Sequence, residues 1–104
     1  MIAYNTTIII QHPAHANWLA WMEHDYIPHV LDSGMVDRYQ LSRLLGVDET
    51  EGITYSLQLF FSSKPAYDLY QENYAFQHQH RHDDKFKGQF LSFRSTMNVV
   101  LYGG

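Results

Sequence analysis

Apolar residues in this chain alternate with a period of two in some stretches and recur every three or four residues in others, and the order of those stretches limits the folds open to it. Residues 2–11 are β-rich, with Ile8, Ile9 and Ile10 in a row. Pro13 ends that stretch and suits the first turn of a helix. From Ala14 to about Leu31, the residues Trp18, Leu19, Met22, Tyr26, Ile27 and Val30 recur at helical spacing. Pro28 lies inside this pattern and is expected to kink or shorten the helix. Ser33-Gly34 is a stop signal. Residues 35–47 read as a long strand, 48–52 as a polar hairpin loop, and 53–62 (ITYSLQLFFS) as a strand with clear alternation. Ser63 is placed to cap a second helix with Pro65 in its first turn. Tyr67, Leu69, Tyr70, Tyr74 and Phe76 form its expected apolar side, and Gly88 separates it from a last strand over residues 89–102.

The order β-α-β-β-α-β is that of the split βαβ, ferredoxin-like pattern. The expected fold class is therefore α+β, a four-stranded antiparallel sheet with two helices on one face. The 104 residues contain no linker, repeat or low-complexity tract. They are read as one domain, with residues 1–102 as the ordered core and Gly103-Gly104 as a frayed end.

Composition removes several functions. There is no cysteine, so disulfides, thiolate catalysis and cysteine-based metal centres are excluded. The net charge is −4 and no basic stripe is present, which argues against nucleic acid as a partner. The N-terminus has neither a basic region nor a long apolar core, and no apolar run approaches the roughly 20 residues that span a bilayer. The expectation is a cytoplasmic protein with no membrane partner. No phosphate-binding glycine loop, dinucleotide fingerprint or Ser-His-Asp order occurs, and no cofactor is expected.

One layer of helices leaves the other sheet face uncovered. In the last strand, Leu91, Phe93, Ser95, Met97, Val99 and Leu101 are the more apolar set and are assigned to the helices. Phe90, Ser92, Arg94, Thr96, Asn98 and Val100 then fall on the uncovered face, with Thr54, Ser56, Gln58 and Phe60 of the preceding strand. A mixed face of this kind suits sheet-to-sheet homodimerisation, and Phe60, Phe90 and Arg94 are the candidate dimer contacts. The bland alternative is a monomer with a solvated sheet face.

The stretches NWLAWMEHDYIPHVLDSGMV, LSRLL, GITYSLQLFF and FKGQFLSFRSTMNVV together resemble the DUF4286 family of small bacterial proteins, found mainly in Bacteroidetes, over residues 2–101. The resemblance implies a dimeric α/β barrel. That superfamily includes cofactor-independent monooxygenases as well as muconolactone isomerase-like and chlorite dismutase-like proteins, and it does not by itself imply an activity. The resemblance also implies a histidine before the Ile27-Pro28 pair, where this chain has Tyr26, and a histidine at His82, which it keeps.

The candidate site residues follow. In FQHQHRHDD, His78 and His82 are four apart and share a helix face; they are weak metal candidates, because zinc chelation of this type needs a third ligand and Arg81 repels a cation. The favoured reading of this stretch is a solvated helix end. Trp21, Tyr26, Arg43, Tyr55 and His82 are candidates for a small-molecule cleft between helices and sheet. Arg43, on the helix-facing side of its strand, offers a fork for an anion or carboxylate, against the alternative of a structural salt bridge. Trp18 and Trp21 are read as core before pocket, and Tyr55 as a core tyrosine before a substrate contact. His15 and His24 show no obvious partner, and His29 is assigned to solvent. The functional expectation is a small-molecule-binding homodimer with monooxygenase-like kinship. The alternatives are a non-catalytic sensing or interaction module, and metal binding by the histidine cluster.

Overall fold

A computed structural model describes residues 1–104. The chain forms β1 (Ile2–Ile10), a first helix over residues 12–32, β2 (Arg38–Arg43), β3 (Ile53–Phe61), a second helix over residues 64–85, and β4 (Phe90–Asn98). The strands make one antiparallel sheet in the order β2-β3-β1-β4, with β1 hydrogen-bonded on both sides. This is the ferredoxin-like α+β arrangement.

Two strands are shorter than the sequence suggested. β2 stops at Arg43, opposite Tyr55, and Gly46 at φ +76° turns the chain out of the extended region before β3 starts. β4 stops at Asn98 because its neighbour β1 begins at Ile2, directly opposite. The Val99 N–H reaches the Met1 carbonyl at 2.9 Å as the last rung, and residues 100–104 run on exposed.

The first helix buries Ala14, Trp18, Met22, Tyr26 and Val30, a stripe with a strict four-residue step. In an α-helix of 3.6 residues per turn such a stripe drifts about 40° at each step and soon leaves the core. The helix compensates with a π-helical turn at Met22–Tyr26, flanked by α-helical His12–Trp21 and Ile27–Asp32. The extra residue in that turn brings Tyr26 and Val30 back onto the core side. The turn also removes the problem posed by Pro28. Proline lacks an N–H and its ring collides with the carbonyl four residues earlier in a regular helix. With the Ile27 N–H bonded to the Met22 carbonyl, the ladder has already shifted by one residue, and the helix runs through Pro28 to Asp32.

The second helix repeats the device. Ser63 caps it, its hydroxyl accepting the Ala66 N–H at 3.2 Å. Lys64–Tyr70 and Phe76–Lys85 flank a π turn at Gln71–Ala75. Its inner side is the aromatic series Tyr70, Tyr74, His78, His82, Phe86, again at four-residue steps, and all but the half-exposed Tyr74 are buried. This corrects two expectations. Leu69 and Phe76 are exposed, and the histidine stretch is not a solvated end: His78 is 7 % and His82 4 % exposed.

The core lies between one sheet face and the two helices, around the fully buried Trp18, Tyr70, Phe61, Ile10, Met22 and Val30. Gly52 is fixed by sterics. A β-carbon there would stand 2.6 Å from the Ile10 carbonyl oxygen, where β3 enters beside the end of β1.

β4 presents the opposite faces from those expected. Arg94 stands opposite Thr6, and Phe90 opposite Ile10, whose partners across the sheet, Leu57 and Ile53, belong to the helix-covered set. Phe90 and Arg94 therefore point towards the helices, not to the uncovered face. Leu91, Phe93 and Met97 occupy the uncovered face, and Leu91 and Phe93 are 63 % and 62 % exposed. The assignment by hydrophobicity failed because the uncovered face of β4 is the more apolar one. Phe60 does lie on that face, beneath Arg38, whose guanidinium carbon is 4.3 Å from the ring centre.

Candidate cleft between the helices and the sheet

A narrow cleft opens between both helices and the sheet at the β1–β4 side. Its lining is Thr6 and Ile8 from β1, Leu57 from β3, Ser92 and Arg94 from β4, Met22 and Tyr26 from the first helix, and Gln79 and His82 from the second. Met22 and Tyr26 are the two ends of the first π turn, so the irregularity that realigns the helix also sets the cleft wall. The cleft spans about 280 Å3 including its mouth, but its side chains close it to the width of about one water molecule.

His82 sits at the inner end with both nitrogens engaged. The Trp18 indole N–H donates to Nε2 at 2.9 Å, and Nδ1 is 2.9 Å from Asp83 Oδ1. An indole N–H can only donate, so Nε2 is the accepting nitrogen and Nδ1 carries the proton that Asp83 receives. Burial pushes the His82 pKa down, and the Asp83 carboxylate opposes that only in part. Trp21, Tyr26, Phe86 and Phe90 surround the ring, Phe90 edge-on at 4.8 Å between centres. His82 is thus a neutral, doubly bonded imidazole with no lone pair free for proton abstraction.

His78 shares the inner face but engages another partner. Its Nδ1 is 2.8 Å from the Tyr70 hydroxyl, and burial lowers its pKa as well. The two imidazoles are spent on separate hydrogen bonds, and no group of three His, Asp or Glu side chains is arranged to hold a metal ion.

Tyr26 lines the cleft. Burial raises its pKa, with the Arg94 guanidinium acting in the opposite sense, so the phenol stays protonated at neutral pH. Trp21 packs behind the wall against Tyr26, Phe86 and His82, outside the cleft proper.

Arg43 and Tyr55 face the helix side but stand away from the cleft, at the β2–β3 hairpin end. Arg43 holds Glu49 with two hydrogen bonds, Nε at 3.1 Å and Nη2 at 2.8 Å, which depresses the Glu49 pKa and raises its own. Tyr55 bonds His15 Nε2 at 2.7 Å, and His12 Nε2 lies 2.6 Å from the Glu49 carbonyl oxygen. No partner for His15 is visible in its local sequence, because that partner is 40 residues away. His24 lies 3.8 Å from Glu23, and His29 is exposed, 3.5 Å from Asp25.

Thr6, Met22, Gln79, Ser92 and Arg94 were not foreseen in the cleft. The four-residue stripe would have marked Met22. Ser92 and Arg94 needed the true register of β4, and Gln79 needed the inward turn of the histidine stretch.

These features define a ferredoxin-like α+β protein with a cleft beneath its helices. A solved antibiotic biosynthesis monooxygenase superposes with a TM-score of 0.68 at 14 % identity, covering 97 % of this chain and 100 % of that one. A mutant of SnoaB, a cofactor-independent oxygenase from Streptomyces nogalater, gives 0.70 at 12 % identity, covering 97 % and 95 %. A dimeric ferredoxin-like protein from an uncultured marine organism gives 0.68 at 9 % identity, covering 98 % and 96 %. At such identities the likeness is one of fold. The chain belongs to the DUF4286 family, a domain of unknown function, whose model matches residues 1–100. No curated protein matches it.

Proposed function

We propose that this protein is a homodimer that binds a small molecule in the cleft between its helices and its sheet. The observation that carries the reading is the convergence of unpaired polar groups from three elements, Thr6, Tyr26, Ser92 and Arg94, over an apolar floor of Ile8, Met22 and Leu57. Apolar clefts with a few convergent polar groups are the usual form of a ligand site. Arg94 is exposed and held by no carboxylate, so it can swing aside to widen the mouth.

The dimer reading rests on the uncovered face. Leu91, Phe93 and Met97 form an exposed apolar strip along β4, next to Ile9 and Ala3 of β1. A second copy laid sheet to sheet buries that strip. Two ferredoxin-like neighbours are themselves described as dimeric, which supports a dimer.

Oxygenase neighbours suggest a direction for chemistry, and the cleft qualifies it. With His82 committed to Trp18 and Asp83, and no carboxylate in the lining, the cleft offers donors and no free base. This favours binding, or chemistry on a substrate that needs no deprotonation.

Native mass spectrometry of the protein as isolated tests both parts. A dimer carrying an extra organic mass is the expected result. A monomer overturns the sheet-to-sheet reading. A bare dimer whose melting temperature no compound of a small-molecule library raises overturns the cleft.

A further inference from the structure

Four tyrosines are buried, and three have paired hydroxyls: Tyr4 with Gln79 at 2.7 Å, Tyr55 with His15 at 2.7 Å and Tyr70 with His78 at 2.8 Å. The fourth, Tyr26, is 8 % exposed, lines the cleft, and bonds no other protein group through its hydroxyl. The hydroxyl is not sealed in the core: the buried side-chain atoms left without a partner are Gln71 Nε2 and Arg81 Nη1, so the Tyr26 hydroxyl opens to solvent through the cleft and is available to a ligand there.

The arginines show the same contrast. Arg43 is bound to Glu49, Arg81 to Asp25, and Arg38 lies over the Phe60 ring. Arg94 has no such partner, and no acidic residue lines the cleft it faces. A guanidinium with no counter-charge stands beside an unpaired phenol donor, in a chain whose net charge is −4.

We propose that the cleft takes a planar conjugated oxyanion, a phenolate or enolate that arrives already ionised, with its oxygen held between the Arg94 guanidinium and the Tyr26 hydroxyl. This rests on the small-molecule reading of the cleft and narrows it. Charge-assisted hydrogen bonds from a guanidinium and a phenol are the strong kind and favour the ionised form of the ligand. Ile8, Met22 and Leu57 offer an apolar floor for the conjugated ring. No group in the lining can take a proton from a neutral phenol, so ionisation precedes binding.

4-Nitrophenol is a suitable probe, because it titrates near neutrality and only its anion absorbs visible light. Bound oxygen is faced by Thr6 from β1, Tyr26 from the first helix, Gln79 and His82 from the second, and Ser92 and Arg94 from β4, with Tyr4 and Asp83 as the next titratable groups. The probe is titrated spectroscopically with and without excess full-length protein. Its apparent pKa is expected to fall by about one unit, a tenfold preference for the anion. Arg94→Gln abolishes the shift, Tyr26→Phe reduces it, and the surface change Lys64→Gln leaves it intact. Binding with an unchanged or raised probe pKa overturns the anion assignment and leaves the small-molecule cleft standing. Failure of both forms to bind overturns the oxyanion assignment, while the cleft itself stands or falls on the library screen.

Discussion

The Trp18 indole N–H donates to His82 Nε2 across 2.9 Å, joining two buried residues 64 positions apart. Trp18 is 0 % and His82 4 % exposed, and the Trp18 ring also lies 4.9 Å from Tyr55. The bond thus ties the first helix to the second at the inner end of the cleft. Trp18→Phe removes the donor, leaves Nε2 unmet and opens a void. A destabilisation of about 2–4 kcal/mol is expected from chemical denaturation. Trp18→Phe with His82→Leu should cost less than the sum of the single changes, because removing both partners leaves no orphaned acceptor. Strict additivity in that cycle would show that the hydrogen bond contributes nothing.

Stability should fall on acidification. Burial lowers the pKa of both His78 and His82, and that of His15, below the ordinary 6.5. Between each depressed folded value and 6.5 the unfolded chain binds more protons, so stability rises with pH across that interval. It is fully present above about 6.5 and is lost as pH falls through the folded pKa values. Melting temperatures across this range check the trend, and His78→Gln should flatten the slope. A flat profile in the parent protein would exclude buried neutral histidines.

Gly52→Ala tests a steric limit. The added carbon meets the Ile10 carbonyl oxygen at 2.6 Å, and backbone cannot yield cheaply. The expected loss is about 1–3 kcal/mol, read from urea unfolding. Gly46→Ala is the informative comparison: no atom lies within 4 Å of a β-carbon there, and only its φ of +76° is unfavourable.

The two faces of β4 give opposite expectations for assembly. Phe93→Asp places a charge on the exposed apolar strip and should convert a dimer to monomers by native mass spectrometry or sedimentation. Arg94→Gln faces the helices and should leave the subunit count unchanged. The reverse outcome would restore the face assignment drawn from hydrophobicity.

The local pattern of residues was enough to order the elements and to predict the fold class. Periods of two and of three to four locate strands and helices, and Ser63 and Gly34 mark a helix start and stop through nearest-neighbour chemistry. The four-residue stripes Ala14 to Val30 and Tyr70 to Phe86 are also present in the chain. They became interpretable only once the π turns showed how a step of four stays on one face. Of the five cleft candidates, Tyr26 and His82 line the cleft, Trp21 backs it, and Arg43 and Tyr55 belong to the hairpin end.

Tertiary structure alone decided the rest, because each remaining question depends on a partner remote in sequence. The inward side of β4 is set by its register with β1, Arg94 opposite Thr6, and not by the polarity of its own residues. Burial of His78 and His82 depends on Tyr70 and Trp18 meeting their nitrogens, which makes an imidazole acceptable in a core. Arg43 and Arg94 are the same side chain with the same charge. Glu49 neutralises one and no carboxylate reaches the other, so only the fold separates a structural salt bridge from the open cation of the cleft.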